Sequence, residues 1–254
     1  MTAPVYMFSG VGSDCRMFSP VIDRLKDDVS IVPWDMPGYG GKPLGNEGAG
    51  GQFTFAGMAA AVIADLDKAG TARAVFLGHS IGGMLAQEVA ALYPDRIEAL
   101  VLSGTTPVFG SPDGEFQKKF LAARLAPLDQ GVTMPELAQT FAKDLLGSNP
   151  DPAAGPTATQ LMSELPEESY RAGLTCLVTF NRREELTRIA VPTLLIAGAE
   201  DTNAPLKTMQ RMAEKIAGSQ IAILPDTGHL APLECPDLFA DTVRDFLNSL
   251  PTKE

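Results

Sequence analysis

The sequence predicts an α/β fold, a mostly parallel, doubly wound sheet with an inserted helical cap. Three observations carry this reading. From Val5 to Ser103 short apolar runs alternate with helical patterns, as parallel strands joined by crossover helices require. The alternation stops near residue 107 and resumes with another strand at residue 192. Within the first stretch Ala74-Val75-Phe76-Leu77 runs into Gly78-His79-Ser80-Ile81-Gly82 and a small-residue helix, a strand–turn–helix passage. The expected division is residues 1–106 and 187–254 for the core, with 107–186 as the cap.

Val5-Tyr6-Met7-Phe8 is read as a buried strand, followed by the loop Ser9 to Asp14. Ser19-Pro20 supplies an N-cap and first-turn proline for a helix through Leu25. Val29 to Trp34 forms the second strand and leads into Asp35-Met36-Pro37-Gly38-Tyr39-Gly40. Gly45 to Gly51 is read as a flexible surface loop. Thr54 caps a helix with Met58, Val62 and Leu66 on one side and Gly70 at its close. After the Ser80 turn a helix runs from Ile81 to Tyr93, stopped by Pro94, and Ala99 to Ser103 is the next strand.

Within the cap, Thr133-Met134-Pro135-Glu136 fits a capping box and Leu137, Phe141 and Leu145 continue a helical stripe. Pro150 to Pro156 is read as a loop and Glu167 to Phe180 as helix. The cap's apolar stripes are assigned to packing. Pro192 to Ala197 restores the sheet, a helix spans Pro205 to Ile216, and Ile221 to Leu224 is the last strand. The final helix carries Phe239, Val243, Phe246 and Leu250 on one face.

The chain has 254 residues, enough to bury a sizeable core, and a net charge of −11. That balance argues against nucleic acid and anionic membrane surfaces as partners. It does not exclude an anionic small molecule held by a local arginine. Three scattered cysteines, Cys15, Cys176 and Cys235, read as buried free thiols in a reducing cytosol, with no metal site. No basic leader or membrane-length apolar run is seen, so a soluble, cytoplasmic protein is expected.

The chemistry is sought at the carboxyl ends of the strands, where open α/β sheets build their sites. Ser80, Asp201 and His229 all follow strands, in the order nucleophile, acid, base. Gly78 and Gly82 leave room for a strained turn that lifts the Ser80 hydroxyl to a helix N-terminus. There the free N–H groups favour a developing oxyanion. Only two histidines exist. His79 adjoins the serine and points off the turn, in a structural or pocket-lining role, which leaves His229 as the base. Asp201 is preferred to Glu200, which is read as solvated, and to Asp226, which organises its own turn. Gly104-Thr105-Thr106 offers no carboxylate as an alternative acid.

Together Gly78-His79-Ser80-Ile81-Gly82, Gly198-Ala199-Glu200-Asp201 and the Gly-His-x-x-x-x-Glu-x-Pro run from Gly228 resemble the α/β-hydrolase family across essentially the whole chain. Asp35 to Gly40 is similar to that family's Asp-x-x-Gly-x-Gly turn, with Asp35 a structural residue. The loop Phe8 to Phe18, lacking the family's usual His-Gly, resembles the oxyanion loop of 3-oxoadipate enol-lactonases. Asn181 to Leu186 before Val191-Pro192, and Ser103-Gly104-Thr105, are similar to the same group. The elbow histidine and a start without the usual N-terminal hairpin depart from that group; such trimmed starts look like small esterases and lyase-related members of the superfamily.

By this resemblance the backbone N–H groups of Val11 and Ile81 form the oxyanion hole. The implied activity is hydrolysis of a small-molecule ester or lactone through an acyl-enzyme, with neither metal nor organic cofactor. The alternatives are hydrolysis of a carbon–carbon bond in ring-cleavage-type keto-enol products, or a non-catalytic ligand receptor. The expected partner is a small molecule, and the expected state a monomer or small homo-oligomer. For an anionic lactone Arg16, Arg124 and Arg182 are candidate guanidinium groups, each weighed against an ordinary surface role.

Overall fold

The computed structural model describes residues 3–45, 53–111 and 113–251. Apart from Gly45, the expected loop from Gly45 to Gly51 lies outside the described residues. Six strands, β1 (Val5–Phe8), β2 (Ile31–Pro33), β3 (Ala74–His79), β4 (Ile97–Ser103), β5 (Thr193–Gly198) and β6 (Gln220–Leu224), make one sheet in the order β2-β1-β3-β4-β5-β6. Every pairing is parallel. In chain order the helices are α1 (Ser19–Leu25), α2 (Phe55–Lys68), α3 (Ile81–Leu92), α4 (Glu115–Asp129) and α5 (Met134–Phe141). They continue with α6 (Ala154–Ser163), α7 (Glu167–Leu177), α8 (Leu206–Lys215), α9 (Ala231–Glu234) and α10 (Pro236–Asn248).

Alternation along the strands sends successive side chains to opposite faces. Met7, Leu77, Val101 and Ile196 meet Val21 and Leu25 of α1 and Phe239, Val243 and Phe246 of α10. Phe8, Phe76, Leu100 and Leu195 meet Met58, Val62 and Leu66 of α2, Leu85 and Val89 of α3, and Met209 and Met212 of α8. Burial on both sides explains why β3 and β5 read as unbroken apolar runs. Each such Leu, Val or Phe contributes about 1.5–3 kcal/mol when fully buried.

Several boundaries differ from the sequence reading. The second strand is only Ile31–Pro33, because it is an edge strand with β1 as its sole neighbour. The fourth starts earlier, at Ile97. Glu115–Asp129 is a helix for which no pattern was identified; it has few buried positions, and Pro127 in its last turn obscures the period. The segment read as a loop from Pro150 to Pro156 instead enters α6 at Ala154. Pro156 fits there because first-turn N–H groups have no intrahelical acceptor to lose. Leu145 closes a 3₁₀ turn after α5 and does not extend that helix. Thr133 starts α5 as expected: the Glu136 carboxylate accepts its N–H at 2.8 Å and its hydroxyl at 2.7 Å.

The sheet order reverses direction at β1 and β3, since β2 lies outside β1 while β4 follows β3. Such a switch point opens a crevice above the strand ends. Register levels that edge: Phe8 pairs with Gly78, His79 with Ser103, and Gly198 with Leu224. The loops carrying Val11, Ser80, Thr105, Asp201 and His229 therefore emerge together.

Candidate active site

Ser80 stands between β3 and α3 with φ 56° and ψ −119°, a left-handed conformation that costs a non-glycine residue on the order of 1–3 kcal/mol. Its surroundings hold it there. Its N–H donates to the Ser103 carbonyl at 2.9 Å, and its carbonyl accepts from the Thr105 hydroxyl at 2.8 Å. The two flanking glycines have no room for a side chain. A Cβ at Gly78 would lie 2.1 Å from the Gly82 carbonyl oxygen, and one at Gly82 only 2.2 Å from that of Phe8. The turn thus needs both glycines to press helix against sheet.

His229 Nε2 lies 3.2 Å from Ser80 Oγ, and His229 Nδ1 lies 2.8 Å from Asp201 Oδ2. The carboxylate contact requires the proton on Nδ1, which leaves Nε2 able to accept from the serine. The other oxygen of Asp201 accepts the N–H groups of Asn203 at 2.8 Å and Ala204 at 2.9 Å. Burial works to raise the Asp201 pKa, but the His229 hydrogen bond and charge, with those two N–H groups, outweigh it and hold the carboxyl below its ordinary value.

Val11 lines the same opening, and Ile81 follows Ser80 directly. Neither N–H donates to a protein acceptor among the described residues. Ile81 is the first residue of α3, so its N–H has no intrahelical partner. Val11 is fixed from behind: the buried Tyr39 hydroxyl donates to its carbonyl at 3.1 Å. Asp35 accepts the Cys15 N–H at 2.7 Å, tying down the far end of that loop. Sequence reasoning assigned Tyr39 no role. Its place inside the Asp35 to Gly40 turn, packed on the first loop, was the available signal.

Glu234 was also missed, although it is the acid of the Gly-His-x-x-x-x-Glu-x-Pro run. It is 3% exposed and accepts three backbone N–H groups: Gly228 at 2.9 Å, Leu230 at 2.7 Å and Gly147 at 2.7 Å. Two of these flank His229; the third belongs to the segment between β4 and β5. The same segment meets the loop elsewhere. Leu145 accepts the His229 N–H at 2.7 Å, and Asn149 N–H donates to the Asp226 carbonyl at 3.3 Å. Glu200 is exposed, but it is not merely solvated as expected: it accepts the Ser148 N–H at 2.6 Å and its hydroxyl at 2.8 Å.

His79 lines the opening and is fully enclosed. Nδ1 lies 3.3 Å from the Ser103 hydroxyl, Nε2 has no partner among the described residues, and its ring centre is 5.0 Å from that of His229. Burial, then the nearby His229 charge, push its pKa down to about 3, against a smaller opposing pull from Asp201. An unfolded histidine titrates near 6.5. Between these values the unfolded chain binds more protons, so this contribution to stability is complete above pH 6.5 and drains away as pH falls toward 3. His79→Asn is therefore expected to flatten the decline in Tm between pH 6.5 and 4.5. Equal declines in both proteins would remove His79 as the source. Asp201 acts in the same direction, but only below its unfolded value near 3.9.

A cavity of about 300 Å³ covers Ser80 and His229, roofed by Phe109, Phe116, Phe120 and Phe141. Of the three arginines weighed for an anion, two are committed elsewhere. Arg16 pairs with Asp14 and Glu164, and Arg182 with Glu88 and Glu185. Arg124 lines the cavity. Cys15 and Cys176 are buried free thiols, while Cys235 is only half-buried, a correction to the expectation for that residue. Burial raises the pKa of each, which disfavours thiolate chemistry. Among the described residues no three His, Cys, Asp or Glu side chains gather as metal ligands would, and no helix is long and apolar enough to cross a membrane.

A strained serine between strand and helix, a histidine–carboxylate pair beside it and an all-parallel sheet beneath define an α/β protein of the hydrolase type. The chain belongs to the alpha/beta hydrolase family, whose pattern matches residues 5–242. It is 27% identical to RutD of Pseudomonas savastanoi pv. phaseolicola, a protein named for carbamate hydrolysis, over 97% of this chain and 95% of that one. It is 25% identical to a pimeloyl-[acyl-carrier protein] methyl ester esterase of Neisseria meningitidis serogroup B, over 96% and 92%. Among solved structures, the enol-lactonase of Burkholderia xenovorans LB400 superposes with a TM-score of 0.85 at 25% identity, covering 98% of this chain and 92% of that one.

Proposed function

We propose that this protein is a serine hydrolase of small-molecule esters or lactones, with Ser80 as nucleophile, His229 as general base and acid, and Asp201 as the carboxylate that orients it. The observation that carries the reading is the continuous Ser80–His229–Asp201 chain, 3.2 and 2.8 Å, at the floor of a largely apolar cavity. Esterase and lactonase relatives support it. His229 takes the Ser80 proton as Oγ attacks the carbonyl carbon. The resulting oxyanion accepts from the Val11 and Ile81 N–H groups, each contributing about 10²–10³ in rate. Collapse breaks the bond to the leaving oxygen, which takes the proton from His229. Water, deprotonated by the same imidazole, then releases the acid and restores Ser80. In a lactone the leaving oxygen stays tethered; from an enol-lactone it departs as an enol and tautomerises to a ketone.

Residues 107–186 act in this reading as the cap that encloses the acyl group, and buried neutral His79 leaves His229 as the site's one developing cation. A fluorophosphonate probe tests the assignment. We expect one adduct per chain, on Ser80, with fluoride released and loss of p-nitrophenyl acetate turnover in proportion. Labelling elsewhere, or none at all, would overturn it.

A further inference from the structure

The chain carries 31 acidic against 20 basic residues, so a partly buried guanidinium should readily find a carboxylate. The half-buried Arg73, Arg96, Arg171, Arg182 and Arg244 all have one, at 3.6 Å or less. Arg124 is half-buried as well, yet among the described residues it forms no ion pair and no hydrogen bond. It sits on α4, in the wall of the cavity that holds Ser80. Its guanidinium carbon lies 4.4 Å from the Phe141 ring centre and 5.6 Å from that of Phe120. Aromatic stacking engages the face of a guanidinium and leaves the N–H fork at its edge free. Among the described residues no Asp or Glu lines this cavity, and Arg124 is its only permanently charged side chain. The enclosure thus holds one fixed positive charge, steadied by two rings and met by no carboxylate among the described residues.

Accepting the hydrolase reading above, we infer that Arg124 binds an anionic group of the substrate, which carries a carboxylate in the same molecule as its scissile ester or lactone. The fork of donors matches a carboxylate in two parallel hydrogen bonds, while the phenylalanine walls suit the carbon chain between the two ends. Neutral esters would fill the same apolar space and forgo the charged contact.

The test compares mono-p-nitrophenyl glutarate, which is anionic, with neutral p-nitrophenyl butyrate. For the native protein kcat/KM is expected to favour the glutarate. In Arg124→Gln the glutarate-to-butyrate ratio should fall about 10- to 100-fold, the range of a charge-assisted hydrogen bond. Arg124→Lys should recover only part of it, since an ammonium lacks the fork. A ratio that does not move in Arg124→Gln overturns the inference. Calorimetric binding of 4-phenylbutyrate against 4-phenylbutanol is independent of turnover. Native protein should prefer the carboxylate and Arg124→Gln should not; equal preference in both proteins also overturns the inference. Failure of both esters to turn over, with the carboxylate preference intact, would instead indict the hydrolase reading and leave the anion site standing.

Discussion

Ser80→Ala is expected to reduce kcat for p-nitrophenyl acetate about 10⁵–10⁶-fold, with little change in Tm. In the proposed mechanism the Ser80 hydroxyl forms the acyl bond through His229, so its loss leaves no covalent route. Asp201→Asn should cost about 10⁴-fold, because an amide facing Nδ1 favours the wrong imidazole tautomer. The two changes should not add. Once the nucleophile is gone, orienting its base has nothing to act on, and the double variant should match Ser80→Ala within a few-fold. Stopped-flow kinetics would add a second signature: the native protein should release a burst of p-nitrophenol, and neither variant should. Full additivity in the double variant would mean that the three side chains do not act as a unit.

Glu234→Ala should be the most destabilising single side-chain change near the site. It would leave the N–H groups of Gly147, Gly228 and Leu230 in a buried place with no acceptor. At ~1–3 kcal/mol for each orphaned group, partly relieved by entering water, the net loss should be about 3–5 kcal/mol. For a chain of this size that lowers Tm by about 10 °C. Glutamine should not rescue it. Both carboxylate oxygens accept bonds, so an amide nitrogen on either side would face another donor. Because Gly228 and Leu230 flank the imidazole, kcat should also fall about 10²-fold through displaced geometry. Urea denaturation and initial rates measure both, and unchanged values in Glu234→Gln would remove the residue from this role.

Why some of this could be read from the chain, and some not, follows from how far each signal reaches. The elbow is local: two glycines two positions either side of Ser80 specify the turn by sterics alone, and β3 before it is buried on both faces. Asp201 and His229 each follow an apolar run that could only be a strand, so sheet topology brings them to the same edge. Glu200 and Glu234 were harder because their partners, Ser148 and Gly147, lie 52 and 87 residues away. No periodicity encodes such a contact. The α4 helix was missed for a different reason. Only Leu128 of it is buried, while Phe116, Phe120 and Arg124 line the cavity, so it leaves no clean stripe. Arg124 could be listed from sequence among three arginines, but only coordinates show that the other two are already neutralised.

The attachment of residues 145–149 beside the histidine has a mechanical corollary. Leu145, Ser148 and Asn149 are bonded to the strand-end loops that carry the imidazole and its neighbours, and Gly147 to Glu234 at the end of α9. In the proposed mechanism, lifting this segment would pull the His229 loop with it, away from Ser80. Phe116, which also lines the cavity, takes part in none of these bonds and is 54% exposed. A substrate entering past Phe116 would leave that seam, and the His229–Ser80 contact, undisturbed.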